Sequence, residues 1–184
     1  MGKADEFGAP VDIDAGGRVV TITNPAKPMF PSVGPAKEPR TKLDLARYYV
    51  EVGDAVMGTV RDRPVLLERY PNGGRGKSFF QKRIPDSAPD WLATTTVETI
   101  NGTPSRALVI ADLAHVLWAV NMGVLGLHVW PFRASTPDDH DEMRIDLDPS
   151  PGVTFDMVRE AAGHVRDHLA ELGMIGFAKT TGSK

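Results

Sequence analysis

Two aspartates stand two residues apart in the strand-like stretch "MRIDLDP" at 143–149. In a strand, residues i and i+2 project from one face about 7 Å apart, so Asp146 and Asp148 are predicted to project together. The alternating Ile145 and Leu147 are predicted to face the core. Mg²⁺ and Mn²⁺ prefer carboxylate oxygen, and two-metal phosphoryl transfer needs acids that bridge ions about 4 Å apart. The spacing allows such a metal site, but D-x-D alone is common, and two solvated acids on the exposed face of an edge strand are the alternative.

Two further stretches offer groups that suit phosphate. His128 lies in the apolar "GLHVWP", where a lone histidine is more often structural unless it lies beside the acids. The terminal "KTTGSK" supplies backbone N–H groups, hydroxyls and an ammonium, the components of a phosphate cradle. The stretch lacks the P-loop pattern and the helix that follows a P-loop, and a flexible C-terminal tail is the alternative.

A basic and aromatic stretch, "NGGRGKSFFQKR", is the remaining candidate. Adjacent strand residues face opposite ways, so one of Phe79 and Phe80 is predicted to be in the core and the other exposed among cations. An exposed aromatic in a basic setting is how proteins stack bases and hold phosphates. A solvated hairpin with both rings buried is the alternative. The cations expected to form a DNA-binding patch are Arg69, Arg75, Lys77 and Lys82.

Charge is unevenly spread, although the formal net charge is only −3. Residues 61–83 carry seven basic residues against two acids, and residues 138–148 carry six acids against one arginine. A local basic patch binds phosphates whatever the total charge, and an acidic segment suits a cation. The two together favour metal-dependent phosphate chemistry.

Composition narrows the class of protein. The absence of cysteine excludes disulfides and thiolate metal sites and favours an intracellular protein. No apolar run approaches the ~20 residues that span a bilayer, and the first residues lack a signal peptide's apolar stretch. We therefore expect a cytoplasmic protein with no membrane partner. The 184 residues suffice for one substantial core or a large fragment of a bigger domain.

The elements that must position these residues follow from hydrophobic spacing and turn signals. Residues 1–18 are predicted to be a flexible N-terminal arm, followed by a β-prone run at 19–23. Five prolines within 24–40 predict an extended loop without regular structure. A helix is predicted to begin after the N-cap Thr41 and to end near Gly58.

The rest of the chain alternates short strands with helices. A hairpin is predicted where "RPVLLERY" and "KSFFQKR" flank a turn at "PNGG". Strands at 94–100 and 106–110 precede a helix capped by Asp112, and "VLGLHVWPF" is a further strand. The clearest helix begins at Thr154 and ends at Gly173, before "MIGFAKTTGSK" as a last strand and turn. This order predicts an α+β fold, a mixed β-sheet with flanking helices.

Taken in order, the motifs resemble a known family. They are "NPAKPMFP", "TKLDLARYYVEVGDAVM", "RPVLLERYPNG", "SFFQK", "APDWL", "LHVWP", "MRIDLDPSPGVTFDMVREAA" and "KTTGSK". Together they resemble the polymerase domain of bacterial DNA ligase D, a member of the archaeo-eukaryotic primase superfamily. The resemblance implies a primase-like fold with residues 19–184 as its N-terminal portion.

The resemblance also implies an activity. Such a primase-polymerase is a nucleotidyltransferase that adds NTPs or dNTPs at DNA breaks and short gaps during non-homologous end joining, with Mn²⁺ or Mg²⁺. The implied partners are broken or gapped DNA, the nucleotide, Ku and a DNA ligase, at a bacterial nucleoid. The alternative is a non-catalytic module that binds DNA ends through their 5′-phosphate. The basic aromatic hairpin disfavours a third option, a D-x-D sugar-nucleotide transferase.

Individual roles carry over by motif. Asp146 and Asp148 match two of three catalytic, metal-binding carboxylates, and Lys27 and Lys42 match lysines that hold the 5′-phosphate of a downstream strand. The residues implied to bind the incoming nucleotide are His128, Thr181, Ser183, Lys184, Phe79 and Phe80.

The sequence departs from the family pattern at four places. The loop between Lys27 and Lys42 is longer than usual, so the choice of Lys42 over Lys37 depends on the flanking "TK" and helix. Glu68 stands where many relatives have a basic residue, and Thr181 replaces the usual serine. The third metal carboxylate comes, in the family, from a segment after "TTGSK" that this sequence does not include. We therefore expect a truncated domain whose second metal is poorly held.

Overall fold

The computed structural model describes residues 6–32, 38–98 and 102–179, which contain nine strands and four helices. The strands are β1 (Val11–Asp14), β2 (Val19–Ile22), β3 (Pro28–Phe30), β4 (Arg40–Thr41), β5 (Pro64–Arg69), β6 (Phe79–Gln81), β7 (Thr94–Glu98), β8 (Pro104–Val109) and β9 (Val124–Val129). The helices are α1 (Lys42–Glu51), α2 (Gly53–Val60), α3 (Leu113–Asn121) and α4 (Phe155–Glu171). The chain divides into two compact units, Met1–Met143 and Arg144–Lys184. The predicted α+β class is confirmed.

Strand β5 is the centre of a five-stranded sheet in the first unit. One of its edges pairs with β9 along Val65–Arg69. The other edge is shared, because β8 pairs with Pro64 and Val65 while β6 pairs with Leu67–Arg69. Strand β7 pairs with β8 beyond that edge. All pairings between the described strands are antiparallel, where the sequence predicts a mixed sheet.

The core of the first unit lies between one face of this sheet and the helices. Val65 and Leu67 of β5 are buried there, with Val116 of α3. The alternate residues Leu66 and Glu68 project from the opposite face, because strand side chains alternate. This alternation separates the packing residues of β5 from the residues that solvent can reach.

Local caps set the ends of the helices as the sequence predicts. Thr41 Oγ1 accepts from the Asp44 N–H at 3.2 Å, and the Asp44 carboxylate accepts from the Thr41 N–H at 2.8 Å, forming a capping box. Asp112 caps α3 by accepting from the His115 N–H, and Thr154 caps α4 by accepting from the Met157 N–H. The single helix predicted to run to Gly58 is instead interrupted at Val52, which separates α1 from α2.

Three strands of the first unit were not predicted. Strand β1 lies inside the segment predicted to be a flexible arm, and its ladder with β2 pairs Val11 with Ile22. Strands β3 and β4 lie inside the proline-rich segment predicted to lack regular structure. Pro28 starts β3, a position that leaves the ladder intact because its missing N–H is not needed there.

The second unit contains α4, which has no buried residue. The predicted strand around 143–149 is not formed, and Ile145 and Leu147 are exposed rather than in a core. Residues 174–179 also lack the predicted strand. A strand needs a partner for its N–H and C=O groups, and the described residues supply none to these two segments. No helix in the described ranges is long and apolar enough to cross a membrane.

Candidate nucleic-acid interface

The solvent-facing side of the sheet groups three of the residues of interest. Across the ladders, Glu68 lies opposite both Phe80 and Gly126, and Leu66 lies opposite His128. Opposite residues share a face, so Glu68, Phe80 and His128 project together. The Phe80 and His128 rings meet edge to face with centroids 5.3 Å apart. Both side chains are about half exposed, at 54% for Phe80 and 51% for His128, and are therefore open to a ligand.

Glu68 is the centre of a hydrogen-bond network on this face. One carboxylate oxygen accepts from the Tyr70 hydroxyl at 2.8 Å and the Ser78 hydroxyl at 3.1 Å, and the other lies 3.3 Å from His128 Nε2. The Tyr70 hydrogen bond, helped by His128 and Ser78, lowers the pKa of Glu68 against the opposing effect of burial. Glu68 is therefore ionised at neutral pH. Neither Tyr70 nor Ser78 is among the predicted site residues. The i, i+2 spacing of Glu68 and Tyr70 could have indicated Tyr70, whereas only the pairing of β5 with β6 brings Ser78 to Glu68.

Phe79 lies on the other side of β6 and is also exposed, at 46%. The prediction that one of the two phenylalanines is in the core is therefore wrong. The Arg69 guanidinium lies 5.3 Å from the Phe79 ring centroid, where it covers part of the aromatic face. Arg69 also donates to Gln81 Oε1 at 2.7 Å, so the last residues of β5 and β6 are held together.

Three cations gather at the C-terminal end of α3, and we call Lys27, Lys42 and Arg69 the basic cluster. Lys42 Nζ donates to the carbonyls of Thr23 at 2.8 Å and Asn121 at 3.0 Å. Arg69 Nε donates to the Met122 carbonyl at 2.8 Å. Carbonyls at the end of a helix lack helical partners and carry partial negative charge, so cations are stabilised there.

The turn after β5 places the third cation. Lys27 Nζ donates to the Pro71 carbonyl, and the Lys27 carbonyl accepts from the Lys42 N–H at 2.8 Å. Gly73 has φ of +80°, and a Cβ there would lie 2.7 Å from the Pro28 carbonyl. Only glycine therefore allows the turn to pack against β3 beside Lys27.

The electrostatics of the basic cluster favour an anion. Burial, and then the charges of Lys27 and Arg69, lower the pKa of Lys42 to about 8. Burial lowers the pKa of Arg69 as well. Among the described residues, no ion pair joins a cation of the cluster to a carboxylate. An anion such as a phosphate would therefore relieve the repulsion. The two lysines and Arg69 were predicted to belong to separate sites, and the structure brings them together.

The other predicted patch residues, Arg75, Lys77 and Lys82, are exposed around the same hairpin. They sit in the turn before β6 and just after it, on the flank that carries Phe79 and Phe80. Their placement extends the positive surface without adding buried contacts.

Part of the acidic segment is neutralised inside the first unit. The buried Arg63, only 2% exposed, pairs with Asp141 at 2.7 Å and Glu142 at 2.8 Å, and Arg133 pairs with Asp141 at 3.1 Å. Hydrogen bonds from Arg63 lower the pKa of Asp141. The expectation that this whole segment suits a cation is therefore corrected, because these two acids already have cationic partners.

The carboxylate pair itself lies in the second unit. Asp146 and Asp148 are both exposed, in a stretch without regular secondary structure. Their oxygens suit a hard divalent cation by type, but the described residues contain no group of three or more potential metal ligands. Asp146 and Asp148 therefore supply only part of the ligand set that a divalent cation needs. Thr181, Ser183 and Lys184 lie outside the described residues.

The pair of the buried His115 and the half-exposed Asp112 has a structural role. His115 Nδ1 lies 2.6 Å from Asp112 Oδ1, and His115 Nε2 accepts from the Ala93 N–H at 3.0 Å. Both ring nitrogens are satisfied, and the Trp91 ring packs edge to face on the imidazole. The imidazole thus joins α3 to the segment before β7 and has no ring nitrogen left for a ligand.

A β-sheet that carries exposed aromatic side chains near cations without carboxylate partners, as seen among the described residues, is the kind of surface that binds nucleotides or nucleic acids. Comparison with known proteins makes the class specific. The family model of "LigD, primase-polymerase domain" matches residues 41–184, and this chain belongs to that family. The resemblance predicted from the motifs is confirmed.

Individual relatives are consistent with this family assignment. The "Multifunctional non-homologous end joining DNA repair protein LigD" of Mycobacterium tuberculosis H37Rv is 35% identical over 173 residues, covering 90% of this chain and 22% of the relative. The bifunctional LigD of Bacillus subtilis is 34% identical over 148 residues, covering 80% and 23%. The chain thus spans about a fifth of these relatives.

A solved structure confirms the fold. The "Polymerase Domain from Mycobacterium tuberculosis Ligase D in complex with DNA" superposes with a TM-score of 0.72 at 31% identity. The match covers 90% of this chain and 58% of that one. That relative was therefore solved bound to DNA.

Proposed function

We propose that this chain is part of a metal-dependent nucleotidyltransferase that adds NTPs or dNTPs at DNA breaks or gaps in non-homologous end joining. The basic cluster beside the exposed Phe79, with the exposed Phe80 and His128 on the opposite face of the same sheet, is the observation that carries the proposal. It offers a site for phosphate next to an aromatic ring, and further rings nearby that can stack on bases. Family membership and the relative solved with DNA support it.

The basic cluster is proposed to bind the 5′-phosphate of a downstream strand. Lys27 is only partly buried and has one carbonyl partner, so its ammonium has donors left for a phosphate oxygen. Lys42 is buried and supports the site by its charge and by fixing the end of α3. Arg75, Lys77 and Lys82 are proposed to contact the DNA backbone.

The solvent-facing side of the sheet is proposed to bind the incoming nucleotide. Phe80 would stack on a base, and His128 would contact the triphosphate, as the resemblance implies. Thr181, Ser183 and Lys184 are proposed to hold the same triphosphate. The reaction is in-line attack of the primer 3′-hydroxyl on the α-phosphorus, which forms an O–P bond, releases pyrophosphate and returns the hydroxyl proton to solvent.

Asp146 and Asp148 are proposed to hold Mn²⁺ or Mg²⁺. When bound, the metal would neutralise charge on the attacking and leaving oxygens. The contribution of this chain is two carboxylates separated by one residue, both open to solvent. Ku and a DNA ligase are proposed partners, and the bacterial cytoplasm, at the nucleoid, is the proposed location.

A second candidate is a non-catalytic module that binds DNA ends. The basic cluster is complete within the first unit, whereas the described residues contain no three-ligand metal group. This contrast is the observation that favours the module.

One assay separates the two. The chain is incubated with gapped, 5′-phosphorylated DNA, Mn²⁺ and labelled NTP, and extension and binding are measured for wild type, Asp146→Asn and Glu98→Gln. Extension that Asp146→Asn abolishes and Glu98→Gln leaves intact supports the enzyme. Binding that survives Asp146→Asn, with no extension by wild type, supports the module. Failure of wild type to bind 5′-phosphorylated ends contradicts both.

A further inference from the structure

Gly126 makes room for the contact between Glu68 and His128. It lies opposite Glu68 in the ladder between β5 and β9. A Cβ on Gly126 would lie 2.7 Å from Glu68 Oε2 and 3.1 Å from His128 Nε2, both closer than normal contact. The φ of Gly126 lies outside the left-handed region, so the glycine provides space rather than an unusual backbone conformation. A side chain here would displace the carboxylate from the imidazole.

The hydrogen bonds around Glu68 determine which nitrogen of the His128 ring carries a hydrogen. Because Glu68 is ionised, its oxygens can only accept, so Nε2 of His128 must carry the hydrogen between them. Nδ1 is then left for a second partner. The Phe80 ring, edge to face at 5.3 Å, restricts rotation of the imidazole. A phosphate oxygen bound at Nδ1 is also a hydrogen-bond acceptor. An imidazole that donates to Glu68 through Nε2 and to a phosphate through Nδ1 therefore carries a hydrogen on each nitrogen, and it is a cation between two anions.

We propose that Glu68 is a positioning residue that orients the His128 ring and stabilises its cationic form for phosphate binding. The inference rests on the proposed function, from which it takes the phosphate as the ligand of His128. Coulomb energy falls with distance, so the attraction of Glu68 for the adjacent ring exceeds its repulsion of a phosphate on the far side of that ring. Tyr70 and Ser78 keep the carboxylate in place through its other oxygen. An acid at this position thus assists anion binding through the histidine.

The test uses inorganic tripolyphosphate as the probe and ¹⁵N NMR of the His128 ring as the readout. In wild type, saturating tripolyphosphate at neutral pH should bring both ring nitrogens into the protonated range. Glu68→Gln should weaken tripolyphosphate binding about two- to five-fold, the range for a half-exposed ion pair, and reduce this protonation. In extension assays it should raise the KM for nucleotide more than it lowers kcat.

Gly126→Ala is the second variant, because it keeps the carboxylate but displaces it. It should reproduce the loss seen in Glu68→Gln, and it keeps the inference testable if that variant does not fold. Glu98→Gln, an exposed acid on β7, is the control for the change in net charge and should match wild type. Thermal unfolding of each variant checks that the fold is retained.

The outcomes separate this inference from the proposed function. If wild type responds to tripolyphosphate but Glu68→Gln and Gly126→Ala match Glu98→Gln in affinity and ring signals, the positioning role is wrong while phosphate binding stands. If the His128 signals of wild type do not respond to tripolyphosphate, the proposed phosphate contact fails, and the positioning role fails with it.

Discussion

Lys42 shows how a single residue combines structure with charge. Lysine is rarely buried unless its ammonium is satisfied, and Lys42, 5% exposed, has carbonyl oxygens from Thr23 and Asn121. These bonds join the segment after β2 to the end of α3. Burial, and then the charges of the neighbouring Lys27 and Arg69, disfavour the ammonium and lower the pKa of Lys42 to about 8.

This pKa gives stability a defined dependence on pH. Between pH 8 and 10.5 the unfolded chain binds a proton on Lys42 that the folded chain does not, so the free energy of unfolding should rise with pH in that window. Lys42→Met should remove this rise, as measured by urea unfolding at several pH values. Lys82→Met, an exposed lysine, should keep it. Parallel curves for wild type and Lys42→Met would contradict the assignment.

Lys27 is the residue of the cluster best placed to touch a phosphate. Lys27→Ala should reduce the preference for 5′-phosphorylated over 5′-hydroxyl DNA ends about ten-fold, since a hydrogen bond to a charged group is lost. Fluorescence anisotropy with matched gapped DNA measures the ratio. Arg106→Ala removes one positive charge on β8, away from the cluster, and should weaken both ends equally. An unchanged ratio in Lys27→Ala would refute the 5′-phosphate assignment.

At the scale of elements, the hairpin of β5 and β6 depends on how its turn packs. The Gly74 N–H donates to the Met29 carbonyl at 2.7 Å, which holds the turn on β3. This contact brings Pro71 to Lys27, and Phe79 packs against Arg69 of the basic cluster. The hairpin thus links the two proposed ligand surfaces.

Two glycines with the same φ test this packing. Gly73 and Gly16 both have φ of +80°, but a Cβ on Gly16 meets nothing within 4 Å. Gly16→Ala should cost about 1–2 kcal/mol from left-handed backbone strain alone. Gly73→Ala should cost clearly more and also lower the 5′-phosphate preference, because the turn must move off β3. Chemical denaturation measures both variants, and equal losses would show that the turn does not need this close approach.

At the scale of the whole molecule, the two units differ in how their helices are supported. Seven residues of α3 are buried, whereas α4 buries none. In proteins most of the stability of a helix comes from packing its apolar face rather than from intrinsic propensity. Exposed apolar side chains on and beside α4, including Phe155, Met157 and Ile175, mark the surface that lacks such packing.

Hydrogen exchange should report this difference directly. The amides of α4 should exchange through local opening, well before those of α3, which should require near-global unfolding. Mass spectrometry of peptides from 113–121 and 155–171 gives the two rates under identical conditions, and α1, which buries Ala46, should lie between them. Equal protection of α3 and α4 would contradict this expectation and would show that α4 is stabilised by packing although its side chains are exposed here.

The sequence by itself determined features that depend on neighbouring residues. Thr41, Asp112 and Thr154 are caps because a side-chain oxygen reaches an N–H only three residues away, and "PNGG" forms its turn for equally local reasons. The ordered motifs also sufficed to predict the family. Strands β1, β3 and β4 escaped prediction because their hydrogen-bond partners outweigh local composition.

Only the tertiary structure decided which distant residues meet. The grouping of Lys27, Lys42 and Arg69 depends on where α3 ends, and the contact of Glu68 with His128 depends on a register that places Gly126 between them. The strand predicted around Asp146 and Asp148 had the right alternation but no partner among the described residues. Periodicity states which face a side chain would take, and the pairing that forms a strand comes from elsewhere in the chain.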